Sequence, residues 1–183
     1  NTMIGNLRLT TETNQEQDWL KTNLAKFTNM LQGQRDLTTV GQLLLSELVP
    51  LVNAHQGVIY QMSGDGTPHL RMLASYANGR GNGYQESVEL GEGFVGQCAI
   101  EKRRILIDDV PEDVTPVGTT LMNALPRAIA VFPVNFEGEV KAVVGLATLK
   151  DFVPSHLAFL DQLTASIGIV LNSIEATMQT EAL

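Results

Sequence analysis

Two long strand-like runs, AIAVFPVNF at 128–136 and VKAVVGLATL at 140–149, are separated only by Glu137, Gly138 and Glu139. A connection that short closes an antiparallel hairpin, because a parallel pair needs a crossover of roughly a dozen residues or more. This weighs against a second reading that the sequence invites. Gly91, Gly93 and Gly96 form G-x-G-x-x-G, followed by an apolar run, then ILI and the pair Asp108–Asp109, which is the residue pattern of a dinucleotide-binding crossover. Such a crossover follows a parallel strand buried on both faces, which reads as a nearly unbroken apolar run. YQESVEL at 84–90 instead carries Gln85, Glu86 and Glu89, the composition of a one-sided or edge strand. The helix after it, Phe94 to about Lys102, has only two to three turns. The three glycines are therefore read as backbone devices, Gly91 and Gly93 for turns at positive φ and Gly96 for close approach of the short helix to the sheet.

The rest of the chain fits the antiparallel reading. GVIYQMS and HLRMLASYA, on either side of SGDGTP, form a hairpin; ANGRGNG is a second loop, and PEDVTPVGTTLMNALP is a long third one. Residues 10 to about 35 hold no proline and set Leu20, Leu24, Phe27 and Leu31 on one helical stripe. A second helix runs through VGQLLLSELVPLVNA with Val40, Leu44, Leu48 and Leu51 inward; Asp36 or Thr38 caps it, and Pro50 kinks or ends it. The last segment opens after Pro154 with Ser155 as N-cap, and Leu160, Leu163, Ile167, Val170, Ile174 and Met178 form its stripe. The fold class is α+β, an antiparallel sheet of five or six strands flanked by helices, with long helices at both ends. The narrow terminal stripes suit either a coiled-coil-like seam between two chains or docking onto the chain's own domain.

A length of 183 residues supports one core with attachments, and a net charge of −8 leaves no basic surplus for nucleic acid or an anionic membrane surface. No apolar run of 18 residues and no signal-peptide pattern occurs. Asn at position 1 fits a piece of something longer. The single cysteine, Cys98, fits a reducing compartment and a packing role on the short helix. His55, His69 and His156 lack metal-ligand spacing, which leaves a haem ligand among them poorly supported. Asp108 and Asp109, adjacent in an extended segment, point to opposite faces and make a poor catalytic pair.

GEGFVGQCAIEKRRILIDDV resembles the segment of GAF domains in which G-x-G-x-x-G opens a short helix leading into a strand that ends in Asp-Asp or Asp-Val. RAIAVFPVNFEGEVKAVVGLATL resembles their closing hairpin. TETNQEQDWLKTNLAKFTNMLQGQRDLTTVGQLLLSELVPLV is similar to the linker and first helix between HAMP and GAF modules of bacterial sensor histidine kinases, often hybrid ones. The resemblance implies three segments, a linker helix at 1–35, a GAF domain at 36–172 and a helical extension at 173–183 toward a downstream module. It implies a non-catalytic sensory or relay role. A homodimer would form through Leu20, Leu24, Phe27 and Leu31 with Leu163, Ile167, Val170 and Ile174, and a kinase module would follow in the same chain. The segment is expected to be cytoplasmic, without membrane contact of its own, in a parent that an inner-membrane anchor would suit. No metal or catalytic residue is assigned, and no cofactor is specified.

Some GAF domains reduce free methionine sulfoxide, which needs a resolving partner that a lone Cys98 lacks; some hold a bilin, but Cys98 is not at the anchor position. The Asn-Lys, Phe, Asp-Glu motif of the cyclic-nucleotide binders is absent. Small-molecule binding in GAF domains lies between sheet and covering loops. Here that places Thr115, Thr119, Thr120, Asn123 and Arg127 on the lid and Phe94 and Phe132, with Val131 and Leu146, on a wall that also suits ordinary core. The alternatives are a redox-responsive domain using Cys98 and a ligand-free dimerisation spacer.

Overall fold

The computed structural model describes the backbone of residues 2–64, 66–77, 84–110, 117–118 and 123–182, and the side chains of 14–64, 66–77, 84–110 and 125–179. The elements in chain order are α1 (Thr2–Leu31), α2 (Leu37–Leu51), β1 (Gln56–Ser63), β2 (His69–Tyr76), β3 (Ser87–Glu89), α3 (Gly93–Glu101), β4 (Ile105–Ile107), β5 (Val117–Gly118), β6 (Asn123–Ala124), β7 (Ala128–Phe136), β8 (Glu139–Thr148) and α4 (Pro154–Ala182). Six strands form one sheet in the order β3-β2-β1-β8-β7-β4, and every neighbouring pair is antiparallel. The small β5–β6 ladder lies within the stretch read from sequence as loop.

β3 and β4 are the two edges of this sheet, so α3 carries the chain from one edge to the other. With alternating directions across six strands, β3 and β4 run oppositely. A dinucleotide crossover joins parallel neighbours, and the glycine segment does not.

The β7–β8 hairpin has Phe136 opposite Glu139, leaving Glu137 and Gly138 as the two turn residues. Both have positive φ, +52° and +82°. That combination is the type I′ turn, whose twist matches that of the strands it joins.

The sheet buries both faces. Toward one side point Ala130, Phe132 and Val134 of β7 and Ala142, Val144 and Leu146 of β8, which meet α1, α2 and α4 in one apolar cluster. Toward the other point Val131 and Val143, which join Val58, Tyr60, Leu70, Val88 and the α3 residues Cys98 and Ala99. Alternation along a strand produces this division. α2 is capped by Asp36, which accepts from the Thr39 amide at 3.0 Å, and it ends at Leu51, one residue after Pro50. α4 starts differently from the sequence reading. Pro154 itself takes the first helical position, one residue ahead of Ser155. A proline there loses no hydrogen bond, since the first amides of a helix have no intrahelical partner.

The terminal stripes pack within the chain. Phe27, Leu31, Leu163, Ile167 and Ile174 are buried within this single chain, and Leu20, Leu24 and Val170 lie half-buried against the same core. Phe27 meets Phe159 edge-on at 5.5 Å, and Trp19 meets the same ring at 5.3 Å. A stripe at spacings of three and four looks identical whether it covers a partner chain or its own domain; here the α4 stripe covers the sheet and the α1 stripe packs on α4 and α2. The packed unit thus extends beyond 36–172, to Phe27 on one side and Ile174 on the other. α4 is long and apolar enough by composition to cross a membrane, yet its apolar side is the one pressed on the sheet.

Glu137 occupies left-handed backbone that costs a non-glycine residue about 1–2 kcal/mol, a cost that asparagine tolerates best. Glu137→Asn should raise the urea midpoint, by an amount equivalent to about 0.5–1 kcal/mol; an unchanged or lower midpoint would contradict the turn assignment.

Candidate functional site

A cavity of about 440 Å³ lies between the sheet and α3. Its floor is the sheet face opposite α4, formed by Val58 and Tyr60 of β1, Ile129 and Val131 of β7, and Gly145 and Ala147 of β8. Gly145 pairs with both Val58 and Val131. With no side chain in the middle of the floor there is room above it; an added Cβ at Gly145 would already sit 3.2 Å from Val58 Cγ1. The facing wall is Val88 of β3 with Gly93, Phe94 and Val95 from the first turn of α3, and Pro126 closes one side.

The polar groups of the cavity come from three separate segments, β1, the stretch before β3 and the N-cap of α3. Tyr60 donates its hydroxyl to the Gln85 carbonyl at 2.7 Å, and Tyr84 donates to Gln56 Oε1 at 2.8 Å. Gln56, only 4% exposed, donates Nε2 to the Ala77 carbonyl at 2.9 Å. Glu92 lies at the mouth, accepting the Glu89 amide on Oε2 at 2.9 Å. Burial pushes the Tyr60 hydroxyl up to about 12, helped by the charges of Glu86 and Glu92; burial, then Tyr60, does the same for Tyr84.

Of the residues assigned to a pocket from sequence, Phe94 lines the cavity. Phe132 does not: it points to the opposite face and is buried beneath the helices. Its neighbour Val131 takes the floor position, because one step along a strand reverses the side chain. Arg127 is also placed elsewhere, pairing with Asp151 at 3.3 Å while its amide bonds the Thr148 carbonyl. Thr115, Thr119 and Thr120 lie outside the described residues, and for Asn123 only the backbone, in β6, is described. Gln56, Tyr60, Tyr84 and Glu92 were not singled out from sequence; the alternation in GVIYQMS, which sets Val58 and Tyr60 on one face, was the available signal.

Gly91 and Gly93 have φ of +86° and +62°. Gly96 sits against the turn that precedes its helix, where a Cβ would run into the Glu89 carbonyl oxygen and the Gly91 backbone. Cys98 is not among the lining residues; it is fully buried in the cluster beside the floor, its thiol 3.4 Å from the Arg103 carbonyl. Burial, with a smaller contribution from Glu101, pushes this thiol up to about 12, the opposite of what a nucleophilic cysteine requires. His55 accepts the Leu149 amide, His69 contacts the Thr67 carbonyl, and His156 stacks on Trp19 at 5.0 Å. Among the described residues no three histidine, cysteine or acidic side chains gather as metal ligands.

This sheet order, with helices on one face and a short helix over a cavity on the other, agrees with the family comparison, in which the GAF domain model matches residues 34–172. The chain belongs to the GAF domain family. Among solved structures similar to this GAF domain is the GAF domain from a phosphoenolpyruvate-protein phosphotransferase of Coxiella burnetii (16% identity, TM-score 0.70, covering 90% of this chain and 97% of that one). Another is free methionine-R-sulfoxide reductase from Neisseria meningitidis with its substrate (15%, 0.67, 84% and 89%). A third is residues 122 to 287 of a methyl-accepting chemotaxis protein (15%, 0.64, 82% and 98%). At these identities the likeness is one of fold. No curated protein sequence matches the chain significantly. GAF domains are in general regulatory sensory domains.

Cys98, Tyr60 and Tyr84 predict alkaline sensitivity. Unfolded, they release protons near about 8.5 and 10; folded, they hold them to about 12. The folded state therefore binds more protons in that window, and stability falls as pH rises through it. Urea midpoints should decline above about pH 9, and Cys98→Ala should move the onset toward about pH 10; a midpoint flat to about pH 11 would contradict the burial of these groups.

Proposed function

We propose that this GAF domain is a non-catalytic sensory and relay module. A small molecule held between α3 and the sheet alters how α4 and α1 are seated, and the terminal helices pass the change to a neighbouring module of the same protein. The parent we favour is a bacterial sensor histidine kinase, supported by the similarity of residues 11–52 to the linker that joins HAMP and GAF modules. In such a parent the segment would be cytoplasmic and the anchor elsewhere in the chain.

The observation that carries the reading is that the cavity floor and the seat of α4 are two faces of the same strands. Val131 and Gly145 face the cavity while Phe132, Val144 and Leu146 hold the helix core. Tyr60 lines the cavity, and the next residue, Gln61, reaches Glu175 of α4 at 3.4 Å, where Lys141 also approaches at 3.6 Å. A displacement of β1 or β8 by a ligand therefore reaches α4 through one residue. A sulfoxide reductase role, suggested by the Neisseria structure, has less support, because the one cysteine is buried, protonated and outside the cavity lining.

The test is a metabolite panel read by thermal shift, followed by hydrogen exchange. A binder should raise Tm in the wild type, lose most of that effect in Gly145→Val, and change exchange rates in residues 169–179 of α4. A binder that leaves α4 unchanged would refute the relay.

Dimerisation through the terminal helices is part of the proposal, on the side of α4 that the core leaves uncovered. Ile169 is 61% exposed and Met178 is 50% exposed there. Ile169→Glu should shift sedimentation from dimer toward monomer at equal helix content; a wild type that sediments as a monomer, or a variant that remains dimeric, would remove this seam.

A further inference from the structure

We propose that the cavity selects a small aromatic ligand that donates hydrogen bonds and carries no negative charge, with the arylalkylamine class, protonated near neutral pH, fitting best. This rests on the reading of the cavity as a ligand site and adds the chemistry of its occupant.

The walls set the first requirement. Val58, Ile129, Val131 and Val88, with the rings of Phe94 and Tyr60, leave a space of about 440 Å³ with largely apolar sides. A flat ring lies well against such branched and aromatic surfaces.

The hydrogen-bond inventory sets the second. The hydroxyl hydrogens of Tyr60 and Tyr84 are already given to the Gln85 carbonyl and to Gln56 Oε1. Tyr60 retains oxygen lone pairs, and Glu92 retains a second carboxylate oxygen after Oε2 takes the Glu89 amide. Gln56 Nε2 carries a second amide hydrogen besides the one given to Ala77, but Tyr60 and Glu92 offer acceptors here, so the ligand group that meets these two is an N–H or O–H.

Charge sets the third. Glu92 is the one carboxylate among the described lining residues, and none of them is Lys, Arg or His. The nearest basic side chain along the chain, Arg127, follows Pro126 but is engaged by Asp151. The first turn of α3 contributes roughly half a positive charge at the cavity wall, and Glu92, directly at its N-cap, more than offsets it. Glu86 adds to the same negative field, since with Glu92 it acts on the Tyr60 hydroxyl. An anion entering would lose its hydration and face this field; an ammonium would pair with Glu92.

The experiment compares three probes that share one ring system: indole, tryptamine and indole-3-acetate, which are neutral, cationic and anionic. Isothermal titration of the whole chain should give tryptamine about tenfold or more tighter than indole-3-acetate, with indole between them. Glu92→Gln keeps the size and the acceptor for the Glu89 amide, and should shrink the tryptamine to indole-3-acetate ratio to about threefold or less. Gly145→Val should weaken all three. Indole-3-acetate binding as tightly as tryptamine, or a ratio unmoved by Glu92→Gln, would overturn the charge selection while leaving the cavity as a binding site. Binding of none of the probes, or binding indifferent to Gly145→Val, would overturn the proposal together with the assignment of the site itself.

Discussion

The burial of α4 on β7 and β8 is the contact on which the remaining structure depends. Phe159, Leu160, Leu163, Ile167, Leu171 and Ile174 form one continuous inward row, and all of them lie in the cluster that includes Phe132, Val134, Val144 and Leu146. That cluster also holds α1 through Phe27 and Leu31 and α2 through Leu44, Leu45 and Leu48. Full burial of an aliphatic side chain contributes about 1.5–3 kcal/mol, so a row of this length outweighs any of the surface ion pairs, which are worth about 0–1 kcal/mol each. With α4 seated, the sheet has one closed face. The other is left to be covered by a nine-residue helix, and the space beneath that short cover is the cavity.

Where the sequence carries strong local signals, the fold is legible in it. The Glu137–Gly138 turn between two apolar runs requires an antiparallel pair, and the polar composition of YQESVEL marks an edge, which is where β3 lies. The helix stripes are equally plain. What they cover is not, because Leu20, Leu24, Phe27 and Leu31 present the same spacing to a sister chain and to the helices of their own domain.

The candidate site was harder to read, for a related reason. AIAVFPVNF is apolar at nearly every position, so nothing in its pattern tells which residues face the helices; Phe132 and Val131 exchange roles on a one-residue shift of register. The polar members of the cavity, Gln56 and Tyr60 on β1, Tyr84 before β3 and Glu92 at the start of α3, lie on three segments that only the assembled sheet brings together. Arg127 looked like a lid donor because of its place in a long loop, yet the turn into α4 sets Asp151 beside it and engages it there. Ser155 looked like a cap because capping preferences favour serine, whereas the proline before it was already suited to open the helix.

Because successive residues of β1 and β7 serve opposite faces, the two linings of the sheet can be altered at different positions. Substitutions at Val58, Ile129 or Val131 would retune what the cavity accepts without touching the row beneath α4, and changes along the helix row would adjust stability without redrawing the chamber. A designer could therefore reshape the chamber by editing alternate letters of β1 and β7, keeping the terminal helices as they are.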